Sequence, residues 1–182
     1  MNAAVTATVR WLRLDVDRWT RVGPQSLWSA MAIVVVTAGL LALVRFGGLV
    51  GEAPRAYLRL TLVTVWGWIA LSFALVLLTR LAQPAAGWNV RTIPAVVGLS
   101  HVPLATLAGV TLIAGGMLEI LGPGRVLAVF ALAAWVPASV IVGISVTAET
   151  ALRRAAAIAA VPYGLWLVLF ARHVLGQVDH LL

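Results

Sequence analysis

One histidine, His101, stands about nine residues into an apolar run that begins near residue 93, with Ser100 before it and Pro103 two positions after it. A charged side chain at that depth of hydrocarbon costs ~2.5 kcal/mol or more unless it is paired or hydrated, so the polar residues kept there are where chemistry is sought first. An imidazole at mid-depth can carry a proton, ligate one cofactor metal, or contact a lipid headgroup or a quinone. It can equally bridge two helices by hydrogen bonds and lock their packing. Pro103 removes a backbone N–H, which predicts a kink with carbonyls freed beside the ring. Trp135, inside the fourth apolar run, completes a candidate set of ligand, lipid or cofactor contacts: Ser100, His101 and Trp135.

Other titratable groups carry little. A metal held by protein alone needs three or four ligands, and no second His, Asp or Glu falls at mid-depth, so no metal site is expected. A haem or chlorophyll needs only one axial ligand and stays open at His101; otherwise no cofactor is expected beyond a bound lipid. His173 and His180 share a helical face beside Asp179, at the chain's end, where they read as solvated tail residues. Glu52, Glu119 and Glu149 fall at or beyond the ends of apolar runs, within reach of headgroups and water. The chain contains no cysteine, which removes disulfides, zinc thiolates, iron–sulfur clusters and thiol nucleophiles. No phosphate-binding glycine loop, nucleophile elbow or HExxH pattern occurs, so no catalytic residues are assigned and an enzyme is not expected.

The elements that would position these residues are five apolar runs, at about 27–46, 57–81, 93–118, 126–148 and 152–172. Each approaches the ~20 residues that a helix needs to cross a ~30 Å hydrocarbon layer. Composition agrees: 62% of the residues are hydrophobic, 10% are charged and the mean hydropathy is +1.03, which leaves too little polar surface to cover a water-soluble core. The expected fold is all-α, a polytopic bundle of five transmembrane helices over residues 25–176, with a short tail at 177–182. The first run follows about 25 residues that include Arg10, Arg13, Arg18 and Arg21, with no Ala-x-Ala site, and reads as a retained span.

Residues 1–24 carry Val5, Val9, Leu12, Val16 and Trp19 on one helical stripe, with Arg10, Arg13, Asp17 and Arg21 opposite. That pattern predicts an interfacial helix whose stripe lies in the acyl boundary and whose arginines, Arg10, Arg13, Arg18 and Arg21, anchor it to anionic headgroups. Gly23-Pro24 ends it. All 13 basic residues are arginines, placed singly or in pairs beside the apolar runs, which speaks for membrane flanks and against nucleic acid. Sorted by alternate loops, eight arginines fall on the N-terminal side and five on the other, predicting a cytoplasmic N-terminus and an outside C-terminus in the cell's inner (plasma) membrane.

In lipid, spans associate where small residues allow backbones to approach. Ala105 and Gly109 in the third run, Ser139, Gly143 and Thr147 in the fourth, and Ala155 and Ala159 in the fifth supply such faces, for packing or for a partner's helix. They predict that the last three spans form one compact bundle. Trp66, Trp68, Trp135 and Trp166 lie well inside runs and are expected to face protein, whereas Trp11, Trp19, Trp28 and Trp88 suit the interfacial belt. Pro94, Pro103, Pro137 and Pro162 punctuate the later runs, but the charges that transporters pair with broken helices are missing.

The order of these features resembles the Yip1 family of small polytopic membrane proteins, in its bacterial and archaeal branch. Gly98-Leu-Ser-His-Val-Pro103 is similar to that family's Gly-Tyr-x-x-x-Pro pattern, with Leu99 in place of the aromatic. Trp135 to Gly143-Ile144, followed by Thr150-Ala-Leu-Arg-Arg-Ala155, looks like its small-residue and basic stretch before the last helix. The resemblance covers about residues 5–175 and implies an integral scaffold with a cytoplasmic N-terminus and no catalytic residues. Three functions follow as expectations. The first is a non-enzymatic scaffold or accessory subunit that binds other integral membrane proteins, or its own copies, through small-residue faces. The second is a permease-like subunit for a lipid or hydrophobic substrate, and the third a cofactor-holding subunit of an electron-transfer or photosynthetic complex.

Overall fold

The computed structural model describes residues 16–45, 54–84, 87–114 and 124–178, and every regular element among them is helical. Runs of Leu, Ala and Val in hydrocarbon leave the backbone no water to bond to, and the helix satisfies each N–H and C=O within its own segment. The helices are α1 (Val16–Trp19), α2 (Leu27–Arg45), α3 (Pro54–Ala82), α4 (Thr92–Leu99), α5 (Val102–Ala114), α6 (Gly124–Thr147) and α7 (Leu152–Val178). A 3-10 turn at Pro24–Ser26 leads into α2, with the Ser26 amide donating to the Gly23 carbonyl at 2.9 Å. Among the described residues, three stretches are long and apolar enough to cross a membrane: Pro24–Leu43, Pro54–Ala82 and Thr92–Val110.

Helix α2 is the centre of the assembly, packing along α3, α4 and α5. The main core gathers Val34 of α2, Leu75 of α3, Ile93 and Val97 of α4, Val140 and Ile144 of α6, and Ala155 and Ile158 of α7. The third crossing, α4 plus α5, therefore takes the first as its principal neighbour, while α6 touches its α4 half and α7 packs on α6 and α3. The last three runs do touch in sequence, and α2 and α3 join them in the same core. The physical reason is Gly98: a Cβ there would lie 2.6 Å from Ala30 Cβ and 2.9 Å from the Ala30 carbonyl oxygen, so only glycine lets α4 and α2 meet this closely.

Gly143, near the end of α6, lies against Val96 and the Trp19 ring, and a Cβ on it would overlap Val96 Cγ1. Residues 115–123 form too short a link to carry the chain back along the whole bundle before α6 begins, so this contact makes α6 antiparallel to α4 and α5. The short connections before α4 and after α6 reverse direction likewise, which leaves α3 and α7 antiparallel to one another. The α6–α7 reversal is tight. The Thr150 amide donates to the Ser145 carbonyl at 2.9 Å, the Ser145 hydroxyl donates to the Thr150 carbonyl at 2.7 Å, and Glu149 takes φ +49°.

Two expectations about tryptophan are corrected. Trp19 is not a membrane anchor: it is 3% exposed, in a second core cluster with Ala30, Ala95, Val96 and Leu99, because Gly143 leaves room for its ring. Trp66 is not packed within this chain: it is 65% exposed on the outer side of α3, two residues along the helix from Trp68, which is buried. Of the proposed anchors, Arg10, Arg13, Val5, Val9, Leu12 and the Arg18 side chain lie outside the described residues, whereas Arg21 is exposed and its Nε donates to the Asp17 carbonyl at 3.3 Å.

Candidate functional site

The break between α4 and α5 falls on Ser100 and His101. Pro103, whose ring is buried, has no N–H to offer the Leu99 carbonyl, so the α-helical ladder cannot continue through this point. Side chains stitch the gap. The Ser100 hydroxyl donates to the Val96 carbonyl at 2.8 Å, and His101 Nδ1 lies 2.8 Å from the Val97 carbonyl. The chain resumes when the Ala105 amide donates to the His101 carbonyl at 2.9 Å.

A carbonyl only accepts, so Nδ1 is the protonated nitrogen and Nε2 of the neutral ring carries the lone pair. His101 is half-buried, and among the described residues Nε2 has no partner. This is the arrangement in which a second hydrogen bond orients an imidazole toward a ligand. Ser100 is fully buried and spends its hydroxyl on the backbone, so it braces the break and offers nothing outward. Trp135 is half-buried on α6, where the Ser139 hydroxyl donates to its carbonyl at 2.9 Å, and no hydrogen bond or ring contact joins it to His101 among the described residues. The sequence-derived trio is thus one adjacent pair and a separate tryptophan.

Of the small-residue positions, Ser139, Gly143, Ala155 and Ala159 are all buried within the chain. Ala105 and Gly109 lie on the side of α5 that meets α2. There Ala32, Ile33, Val36, Val102, Ala105 and Thr106 line a shallow, open apolar groove of about 230 Å³. Its one hydroxyl, on Thr106, is turned back to the Val102 carbonyl at 2.9 Å, and neither Ser100, His101 nor Trp135 belongs to the lining. Among the described residues no group of three His, Cys, Asp or Glu side chains is placed to hold a metal ion. The His173 side chain, His180 and Asp179 lie outside the described residues.

Sequence reasoning missed a second set of polar side chains inside the core. Trp68 Nε1, the Ser72 hydroxyl and the Tyr163 hydroxyl are buried with no hydrogen-bond partner among the described residues. Trp68 and Ser72 are one turn apart on α3, a spacing visible in the sequence, whereas Tyr163 joins them only through the packing of α7 on α3. No family model, curated protein or solved structure matches this chain.

Proposed function

We propose that the chain is a non-enzymatic scaffold or accessory subunit of the inner (plasma) membrane, crossing it five times with a cytoplasmic N-terminus and an outside C-terminus, and binding another membrane protein or its own copies. On this reading α6 and α7 also span, which their 24 and 27 residues allow at 1.5 Å per residue. The order of elements and the Gly98-to-Pro103 motif are what support the Yip1 likeness, and they speak to architecture more than to activity.

The observation that carries the proposal is the outer face of α3. Leu62, Trp66, Ile69, Phe73 and Leu77 form one exposed stripe at spacings of four, three, four and four. Trp66 is near the middle of a 29-residue helix, far from the headgroup belt where an exposed indole finds acceptors. In lipid its N–H would be unpaired, which favours a protein neighbour that offers an acceptor at that depth. A photoreactive residue at 66, activated in native membranes, tests this. A discrete protein adduct that is lost on Phe73→Ala supports the proposal, and labelling of lipid alone defeats it.

A second reading has its own observation. The Nε2 lone pair of half-buried His101, with Nδ1–H held by Val97, suits a single axial bond to a haem or chlorophyll. Visible absorbance in the purified protein, abolished by His101→Ala, would support that reading. A colourless preparation from its native membrane would end it.

A further inference from the structure

We infer that the third crossing carries a hinge at Ser100 and His101, about which α5 swings against α2 while α4 stays fixed in the core. Hydrogen bonds are the first support. The carbonyls of α4 are answered at its own end: the Ser100 amide and hydroxyl donate to the Val96 carbonyl at 3.0 and 2.8 Å, and the His101 amide donates to the Gly98 carbonyl at 3.1 Å. His101 Nδ1 reaches the Val97 carbonyl at 2.8 Å. Helix α5 hangs from the other side of the same residue, where the Ala105 amide donates to the His101 carbonyl at 2.9 Å. Among the described residues no backbone hydrogen bond runs directly from α4 to α5.

A change in ψ of His101 therefore breaks none of these bonds, because its amide and ring belong to the α4 side and its carbonyl to the α5 side. Pro103 lacks the amide that would have tied the two halves together through Leu99. One dihedral can absorb the motion, as element-terminal residues do in hinges elsewhere.

Packing divides the crossing at the same point. Every residue of α4 except Pro94 is buried, among α2, α3 and α6, and Gly98 sets the helix against the Ala30 backbone. A close-packed half of this kind has nowhere to go. In α5 only Pro103 and Ala108 are buried among the described side chains, and α2 is the principal neighbour. At Gly109 a Cβ would still stand 3.9 Å from Leu40, so the grip that α4 has on α2 is not repeated higher up. The shallow groove lined by Ala32, Ile33, Val36, Val102, Ala105 and Thr106 leaves space between α2 and α5. In hydrocarbon a helix face that trades protein for lipid loses little, since no hydrophobic force holds the two together. Helix α5 is thus a flap over the lipid-facing side of α2, and its swing widens or shuts that groove.

Distances between spin labels provide the test. The chain has no cysteine, so introduced cysteines take the labels at chosen positions only. Leu58 and Leu81 on α3, Val90 just before α4 and Val110 on α5 are all exposed. Pulsed electron–electron measurements on the full chain in phosphatidylcholine nanodiscs compare Leu81→Cys with Val110→Cys, which reports α5, and Leu58→Cys with Val90→Cys, which reports the α4 end. A hinge at His101 makes the first distribution about twice as wide as the second. Equal widths overturn the proposal: two narrow distributions mean a rigid crossing, and two broad ones mean a crossing that moves as a whole. Pro103→Ala restores an amide to the break and should narrow the first distribution toward the second. If it stays broad, the motion lies away from the break and the hinge is overturned. Should that variant not fold, the comparison with Pro103 in place decides alone.

Discussion

The Arg80 guanidinium carbon lies 4.5 Å from the centroid of the Trp88 ring, and its Nη2 donates to the Trp88 carbonyl at 3.3 Å. One cation thereby ties the last turn of α3 to the connection that leads into α4. The Asn89 side chain, which accepts from the Arg91 amide at 2.9 Å, shapes the next step of the same connection. Trp88, expected in the interfacial belt, has its indole N–H buried without a partner among the described residues, so it serves this connection through its ring face.

Replacing Arg80 by Ala should lower stability by ~1 kcal/mol, the usual size of a partly exposed cation–π contact. Arg80→Lys should recover part of it, because an ammonium keeps the charge over the ring but loses the planar fork. Thermal unfolding of the three proteins in one lipid composition decides the matter, and equal midpoints would show the contact to be inert.

Gly143→Ala should destabilise by ~1–3 kcal/mol, the range for overpacking a filled core, because the new methyl meets Val96 and the Trp19 ring. Val96→Ala in the same chain should restore much of the loss. A double variant no more stable than Gly143→Ala would show that the strain lies elsewhere.

Two glycines should respond with opposite sign. Gly98→Ala sets its methyl against the Ala30 backbone, which cannot step aside, and should break the contact between the first and third crossings. Gly164, inside α7 and with nothing among the described residues within 4 Å of its Cβ position, should gain up to ~1 kcal/mol on mutation to Ala from helix propensity alone. A fluorescence or spin-label distance between α2 and α4, with the unfolding midpoint, reads both effects.

Glu149 adopts φ +49°, a conformation that costs a non-glycine residue ~1 kcal/mol. Glu149→Gly should therefore leave the unfolding midpoint unchanged or raise it, while Glu149→Val should lower it because β-branching worsens the clash. A lower midpoint for the glycine variant would show that the carboxylate itself contributes.

Helices and breaks were the most legible parts of the sequence. The apolar runs match α2, α3, α4 with α5, α6 and α7, because lipid leaves their backbones no alternative. Pro103 marked the interruption at Ser100 and His101 because its effect on the backbone is local. The direction in which a tryptophan points was not legible: Trp66 and Trp68 sit in equally apolar surroundings, and only the packing of α3 separates outer from inner. Trp19 fitted an amphipathic stripe, yet its place was decided by a glycine more than a hundred residues away. Ser72 and Tyr163 escaped notice for a related reason, since which hydroxyls are buried depends on how the helices pack.

The approach of Ala30 to Gly98 restricts how the molecule can move. An acyl chain is too thick to enter between backbones this near, so the annulus of lipid stops on either side of that seam. Sliding one helix past the other would carry the Ala30 methyl off the gap at Gly98 and onto a side chain one turn away, much as a pawl meets the next tooth. Any working stroke of this protein must hinge elsewhere, with the α2–α4 pair as its fixed keel.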